Sequence, residues 1–334
     1  MATRKAPGRS DRDGITLPQL FAMFPDNKTA EAWFASVRWP DGPRCPREGC
    51  GSANVQVGTA HKTMPYRCRA CRKFFSVRVG TVMQDSKLGY QTWAIAVYLL
   101  NTGIKGTSSM KLHRDLGVTQ RTAWHLAHRI RETWADNTNT DRFTGPVEVD
   151  ETYIGGLAKN MHAKDRKRRI SGTGGKDKAV VVGVLDRATG KVSAAVVPDS
   201  RRATLVPFVT RHTHADTTVF TDEHAAYRRL PRDHYAVRHS TGEYVRGMAH
   251  TNGIESFWSL LKRGLHGTFH HVSPKHLPRY VAEFAGRHNS RSADTAEQMR
   301  QTAAGMVGKL LPFAELVADA APGTVAEPDR PEPW

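Results

Sequence analysis

Three acidic residues and four cysteines carry most of the chemistry legible in this chain. Asp150 stands in the run Val147 to Gly156, Val-Glu-Val-Asp-Glu-Thr-Tyr-Ile-Gly-Gly. Val147 and Val149 alternate with Glu148 and Asp150, the period of a strand with one apolar face; Gly155 and Gly156 then stop it. Asp222 closes the apolar run Thr217 to Thr221, and Glu255 lies early in the amphipathic run Gly253 to Leu265. Lys262 follows Glu255 by two helical turns and therefore shares its face. Singly, each has an ordinary use as an edge carboxylate, a cap or a solvated helix residue. Jointly, carboxylates converging on one pocket are costly unless cations neutralise them. Magnesium accepts carboxylate oxygens and keeps positions open for phosphate. Two such ions, about 4 Å apart, activate a water or a 3′-hydroxyl and stabilise the leaving oxygen of an in-line displacement. In this reading Asp150 bridges both ions, Asp222 holds one and Glu255 the other, while Lys262 sets a charge on a DNA phosphate.

The cysteines form two pairs, Cys45-Pro-Arg-Glu-Gly-Cys50 and Cys68-Arg-Ala-Cys71, separated by a hairpin-length segment. That is the pattern of a four-thiolate, tetrahedral zinc site of the ribbon type, although the first pair is spaced more widely than usual. Pro46, Gly49 and Gly51 favour the tight turn that brings two sulfurs to one ion. Four thiolates close the site, so the expected zinc is structural; it replaces a core too small to fold alone.

Lysine and arginine number 49 against 32 acidic residues among 334, a formal charge of +17. A surplus of that size favours a polyanionic partner, most simply double-stranded DNA. No apolar run approaches the roughly 20 residues of a membrane span, and the polar N-terminus lacks a secretory signal's apolar core. The expected location is the cytoplasm.

The elements that must position these residues follow in order. Residues 1–16 are polar and basic and read as a disordered arm. Leu17 to Phe24 and Thr29 to Val37 have helical spacing, and with the cysteine region they make up an expected zinc-ribbon domain, 17–88. Tyr90 to Leu100, Ser108 to Leu116 and Thr119 to Trp134 are helices, the last two joined by Gly117-Val118. This is a helix-turn-helix pattern over 89–136, with Thr119 as cap. Its last helix would expose Gln120, Arg121, His125, Arg129 and Arg131 to DNA. A polar linker follows. The basic, Gly-rich loop from Leu157 to Lys178, with Lys167, Arg168 and Arg169, is a further candidate DNA contact. Three strands in a meander (the Asp150 run, Ala179 to Leu185 and Lys191 to Val197) precede a helix from Leu205, the strand ending at Asp222 and the helix bearing Glu255. That is the element order of a ribonuclease-H-like α/β fold over 145–291, in which the first and fourth strands lie side by side. In the tail, 292–334, the patch Met306 to Val317 suits either self-association or docking within the chain.

Three segments also resemble a known family: Val149 to Gly156, Phe-Thr-Asp-Glu-His-Ala-Ala-Tyr (220 to 227) and His-Thr-Asn-Gly-Ile-Glu-Ser-Phe-Trp-Ser-Leu-Leu-Lys-Arg-Gly (250 to 264). They look like the DDE transposases of bacterial insertion sequences, in particular the insertion-sequence family numbered fifteen ninety-five, which carries a zinc ribbon before its catalytic domain. The runs 267 to 280 and 283 to 289 resemble it as well. The resemblance implies magnesium-dependent DNA cleavage and strand transfer at terminal inverted repeats, by a homo-oligomer on DNA. Relatives are described with Glu, Asn or His at the third acidic position; Glu255 is favoured over Asn252 because carboxylate oxygen is the stronger ligand for a hard cation. Two rivals share these features: a non-enzymatic DNA-binding regulator, and a nuclease of the same fold without strand transfer.

Overall fold

A computed structural model describes residues 12–135, 142–155, 178–237 and 250–318. The loop bearing Lys167, Arg168 and Arg169 lies outside them.

The N-terminal helices form where capping residues meet apolar spacing. Thr16 and Asp26 cap α1 (Leu17–Met23) and α2 (Asn27–Arg38). Ser108 and Thr119 cap α4 (Ser109–Leu116) and α5 (Gln120–Arg131), which are joined through Gly117 at φ 63°. All four pack on α3 (Tyr90–Thr102), whose Trp93 and Leu100 are fully buried. The first two helices share a core with α3 to α5, and Trp39 at the end of α2 also packs on Tyr66 and Phe75 in the small core of the cysteine region. That region is a three-stranded antiparallel sheet of β1 (Val55–Val57), β2 (Tyr66–Cys68) and β3 (Phe74–Phe75).

A five-stranded sheet follows, in the order β6-β5-β4-β7-β8. β4 (Val147–Ile154), β5 (Ala179–Asp186) and β6 (Val192–Val197) form the expected antiparallel meander, and β7 (Thr218–Thr221) runs parallel beside β4. The edge strand β8 (Asp233–Ala236), polar and short, gave no apolar alternation by which to foresee it. α6 (Arg202–His212) covers one face, with Leu205 and Val209 against Val147 and Val149. α7 (Asn252–Gly264) and α8 (Leu277–Asn289) cover the other.

Three expectations need correction. The arm is anchored from Asp13 onward: Asp13 exchanges hydrogen bonds with Asp294 and Thr295, and Tyr98 donates to the Ile15 carbonyl. The tail is integral as far as Val317. α9 (Thr295–Ala304) buries Met299 in the helical core, and α10 (Phe313–Val317) buries Leu316. The patch therefore docks within its own chain. Finally, α5 hides much of the basic face expected to be exposed. Arg129 is buried, donating to the carbonyls of Gln84 and Leu311. Arg131 is buried against Glu283 of α8 at 2.6 Å, because that helix packs directly on α5. Among the described residues no helix is long and apolar enough to cross a membrane.

Candidate functional site

Asp150 sits in β4 opposite Gly183 of β5. The missing side chain at Gly183 makes room for the Trp258 ring of α7; a Cβ there would lie 2.8 Å from it. Trp258 uses that room to donate its indole N–H to Asp150 Oδ2 at 3.1 Å, while the Glu151 amide donates to Oδ1 at 2.8 Å. The sequence places Trp258 in the core, where it is, but does not reveal this second task.

The parallel register pairs Val147 with Val219 and Glu148 with Phe220. Continued by two residues, it sets Asp150 level with Asp222. Asp222 Oδ1 accepts the His224 amide at 3.0 Å, closing the turn after β7. Glu255 lies exposed in the first turn of α7 and accepts the Thr251 hydroxyl at 2.8 Å. Lys262 is exposed two turns further on. Asn252 opens the helix and is exposed; His250 precedes it, with Nδ1 3.2 Å from Glu148 Oε1.

The electrostatics tie the three acids together. Burial foremost, and then the charges of Glu151, Asp222 and Glu255, push the Asp150 carboxyl up to about 7. Glu151 is also raised to about 7, chiefly by burial and further by Asp222, even though the Tyr227 hydroxyl donates to it at 2.7 Å. A buried carboxyl destabilised by neighbouring carboxylates is one that a divalent cation would relieve. The donor set, hard oxygens on rigid elements, suits magnesium. The acidic oxygens are spread more widely than one tight cluster: among the described residues only the cysteines bring three or more ligand atoms within 4.8 Å of one another.

The pattern also understates Glu148. It shares the strand face of Asp150, as the two-residue period requires. Yet it is buried and committed to Arg187 Nε at 2.8 Å and to the Ile254 amide at 3.0 Å. The available signal was the period itself, since a carboxylate facing a covered side of a sheet needs a partner.

Cys45, Cys50, Cys68 and Cys71 converge, with sulfur pairs 45–71 and 50–68 each 3.7 Å apart. The turns that bring them together need left-handed backbone: Gly49 and Gly51 take φ of 75° and 55°. The Cys71 amide points at Cys68 Sγ and favours its thiolate, while burial pushes the Cys45 thiol up. Four mutually close thiols suit one tetrahedral ion of the zinc class.

Of the expected DNA contacts on α5, Gln120 and Arg121 are exposed. Gln120 donates to Ser109, and the Arg121 guanidinium lies 4.3 Å over the Phe313 ring. His125 is half-buried, with Nε2 3.0 Å from the Leu311 carbonyl oxygen. The segment before α10 therefore lies across this helix.

Comparison with known proteins places this site in a family. The profile of the ISXO2-like transposase domain, of the DDE type, matches residues 142–289, from just before β4 to the end of α8. A protein in transposable element ISH50 of Halobacterium salinarum is 30% identical over 278 residues, covering 78% of this chain and 90% of the relative. A transposase-like protein of Haemophilus influenzae is 32% identical over 103 residues, covering 30% of this chain and 82% of the relative.

Proposed function

Since the chain belongs to the DDE transposases of insertion-sequence family fifteen ninety-five, we propose that it cuts and joins DNA at the terminal inverted repeats of its element. The observation that carries this reading is the register that sets Asp150 of β4 level with Asp222 after β7, together with the Trp258 indole that ties Asp150 to the helix bearing Glu255. The sheet order, with β7 parallel beside β4 at the end of a meander, supports a ribonuclease-H-like fold for this part. Asp150 is the central ligand, held in place by Trp258; Asp222 and Glu255 flank it. Two magnesium ions, when bound there, would supply a deprotonated nucleophile and a stabilised leaving oxygen. Lys262, exposed two turns after Glu255 on α7, would contact a strand's phosphate.

The rest of the chain serves to hold DNA. The cysteine ribbon takes zinc. α4 and α5 act as a helix-turn-helix, with Gln120 and Arg121 as the α5 side chains placed to reach DNA. Holding two element ends together calls for a homo-oligomer on DNA. Phosphate contacts make binding steeply dependent on salt.

The test is a cleavage and strand-transfer assay with purified protein, a duplex carrying the element end, and magnesium, beside an Asp150→Asn control. Joined products that vanish in the control are expected. Cleavage without joining would indicate a nuclease, and tight binding with neither product a DNA-binding protein with a silent catalytic part.

A further inference from the structure

α7 lacks a cap of its own. Its N-cap residue, Thr251, makes no side-chain bond to the helix amides, because its hydroxyl is turned to Glu255 Oε1 at 2.8 Å. The opening amides of a helix need an acceptor, and a negative charge there is favourable. Glu148 supplies both from another element. Its Oε2 accepts the Ile254 amide at 3.0 Å, and its Oε1 accepts Arg187 Nε at 2.8 Å. The Glu148 side chain is 2% exposed. The contact is tight: a Cβ on Gly253 would lie 2.9 Å from Glu148 Oε2 and 3.2 Å from Leu185.

From this we propose that Glu148 is a positioning residue for the acidic site, clamping the start of α7 to β4 and so fixing Glu255 relative to Asp150. The inference rests on the reading of Asp150 and Glu255 as ion ligands. Glu148 and Asp150 are two residues apart on one strand face, yet they are used differently. Both Glu148 oxygens are engaged, one by the helix amide and the other by the Arg187 guanidinium, whose charge the carboxylate already neutralises. Glu255 follows Ile254 directly, so any slide of the helix start moves Glu255 with it. Groups that hold ligands in place alter ion affinity by roughly 10- to 100-fold when lost.

The probe is Mn²⁺, followed by electron paramagnetic resonance on the purified full chain without DNA, with its zinc retained. Wild type should bind Mn²⁺ and Asp150→Asn should not. Glu148→Gln should bind about tenfold more weakly when measured well below its melting temperature, which should fall because the largely buried Arg187 loses its counter-charge. In the cleavage assay its half-saturating magnesium should rise by a similar factor, while the rate at saturating magnesium recovers. Gly253→Ala keeps every carboxylate but wedges the helix start away, and should weaken Mn²⁺ binding likewise; this variant decides the matter if Glu148→Gln folds poorly. Wild-type Mn²⁺ affinity in both variants would overturn the proposal and leave the ion site standing. Loss of Mn²⁺ binding in Glu148→Gln as complete as in Asp150→Asn would overturn it by making Glu148 a ligand. Equal Mn²⁺ binding by wild type and Asp150→Asn would sink the ion-site reading and this proposal together.

Discussion

The two candidate ion centres of this chain are built on opposite plans. The thiol centre gathers four soft ligands from one short stretch, Cys45 to Cys71, around a core of little more than Phe75 and its neighbours. The acidic centre draws hard oxygens from β4, the turn after β7 and α7, spread over residues 150 to 255, on a sheet with a core on each face. In the first, the ion is expected to hold the local fold together. In the second, the cores on both faces of the sheet are expected to hold the fold, and burial with neighbouring acids raises the Asp150 carboxyl. A structural centre closes its coordination; a catalytic one leaves ligand positions open.

The sharpest way to break this comparison is to remove the ligands. Cys71→Ser, or a strong chelator, should unfold the ribbon, so that amides of β1 to β3 lose hydrogen-exchange protection while those of β4 to β7 keep theirs. Retained protection in the ribbon would mean that it folds without metal.

Asp150→Asn should act in the reverse sense on stability. Cleavage should fall by more than about 100-fold. Yet in metal-free buffer at pH 8 the variant should melt higher than wild type, by up to roughly 4 kcal/mol, the upper limit set by a carboxyl raised from 3.8 to about 7. A lower melting temperature would show that Asp150 carries a structural role like that of the cysteines.

The same carboxyl sets a pH dependence. Its folded pKa lies above the unfolded one, so the folded state binds the proton more tightly. The stabilisation is full at acid pH and is lost as pH rises from about 4 to about 7. Thermal melts without magnesium, taken as wild type minus Asp150→Asn, should decline across that window and flatten when magnesium is added. A flat difference without magnesium would mean that neither burial nor the neighbouring acids raise the Asp150 carboxyl.

The smallest effect is expected at Lys262. Lys262→Ala should lower the slope of log affinity against log salt by about 1, measured by fluorescence anisotropy on a duplex, with zinc content unchanged. An unaltered slope would take Lys262 off the phosphate.

How legible each centre was follows from the same contrast. The cysteine pairs are close in sequence, and their turns need only local backbone, so spacing alone sufficed to group them. The acids could be ordered along the chain, and the register of β4 with β7 sets Asp150 level with Asp222 as the strand order had suggested. Glu148 and Trp258 were harder to read. One passed for a polar strand residue and the other for core, because the tasks of both depend on α7 arriving about a hundred residues after β4. The basic residues of α5 were misjudged for a like reason: an amphipathic helix declares its apolar stripe but not how much of the remaining face other helices will cover.

By itself, then, the sequence determined the helices and strands with strong periodicity, the cap at Thr119, the cysteine set and the order of the acids, since each rests on neighbours within a few residues. Tertiary structure alone decided that Glu148 is clamped while Asp150 is left strained, that Arg131 is paired inside with Glu283, and that residues up to Val317 close over α5. The physical reason is that the fate of a charge depends on its desolvation and its partner, and both are supplied by segments far away in the chain.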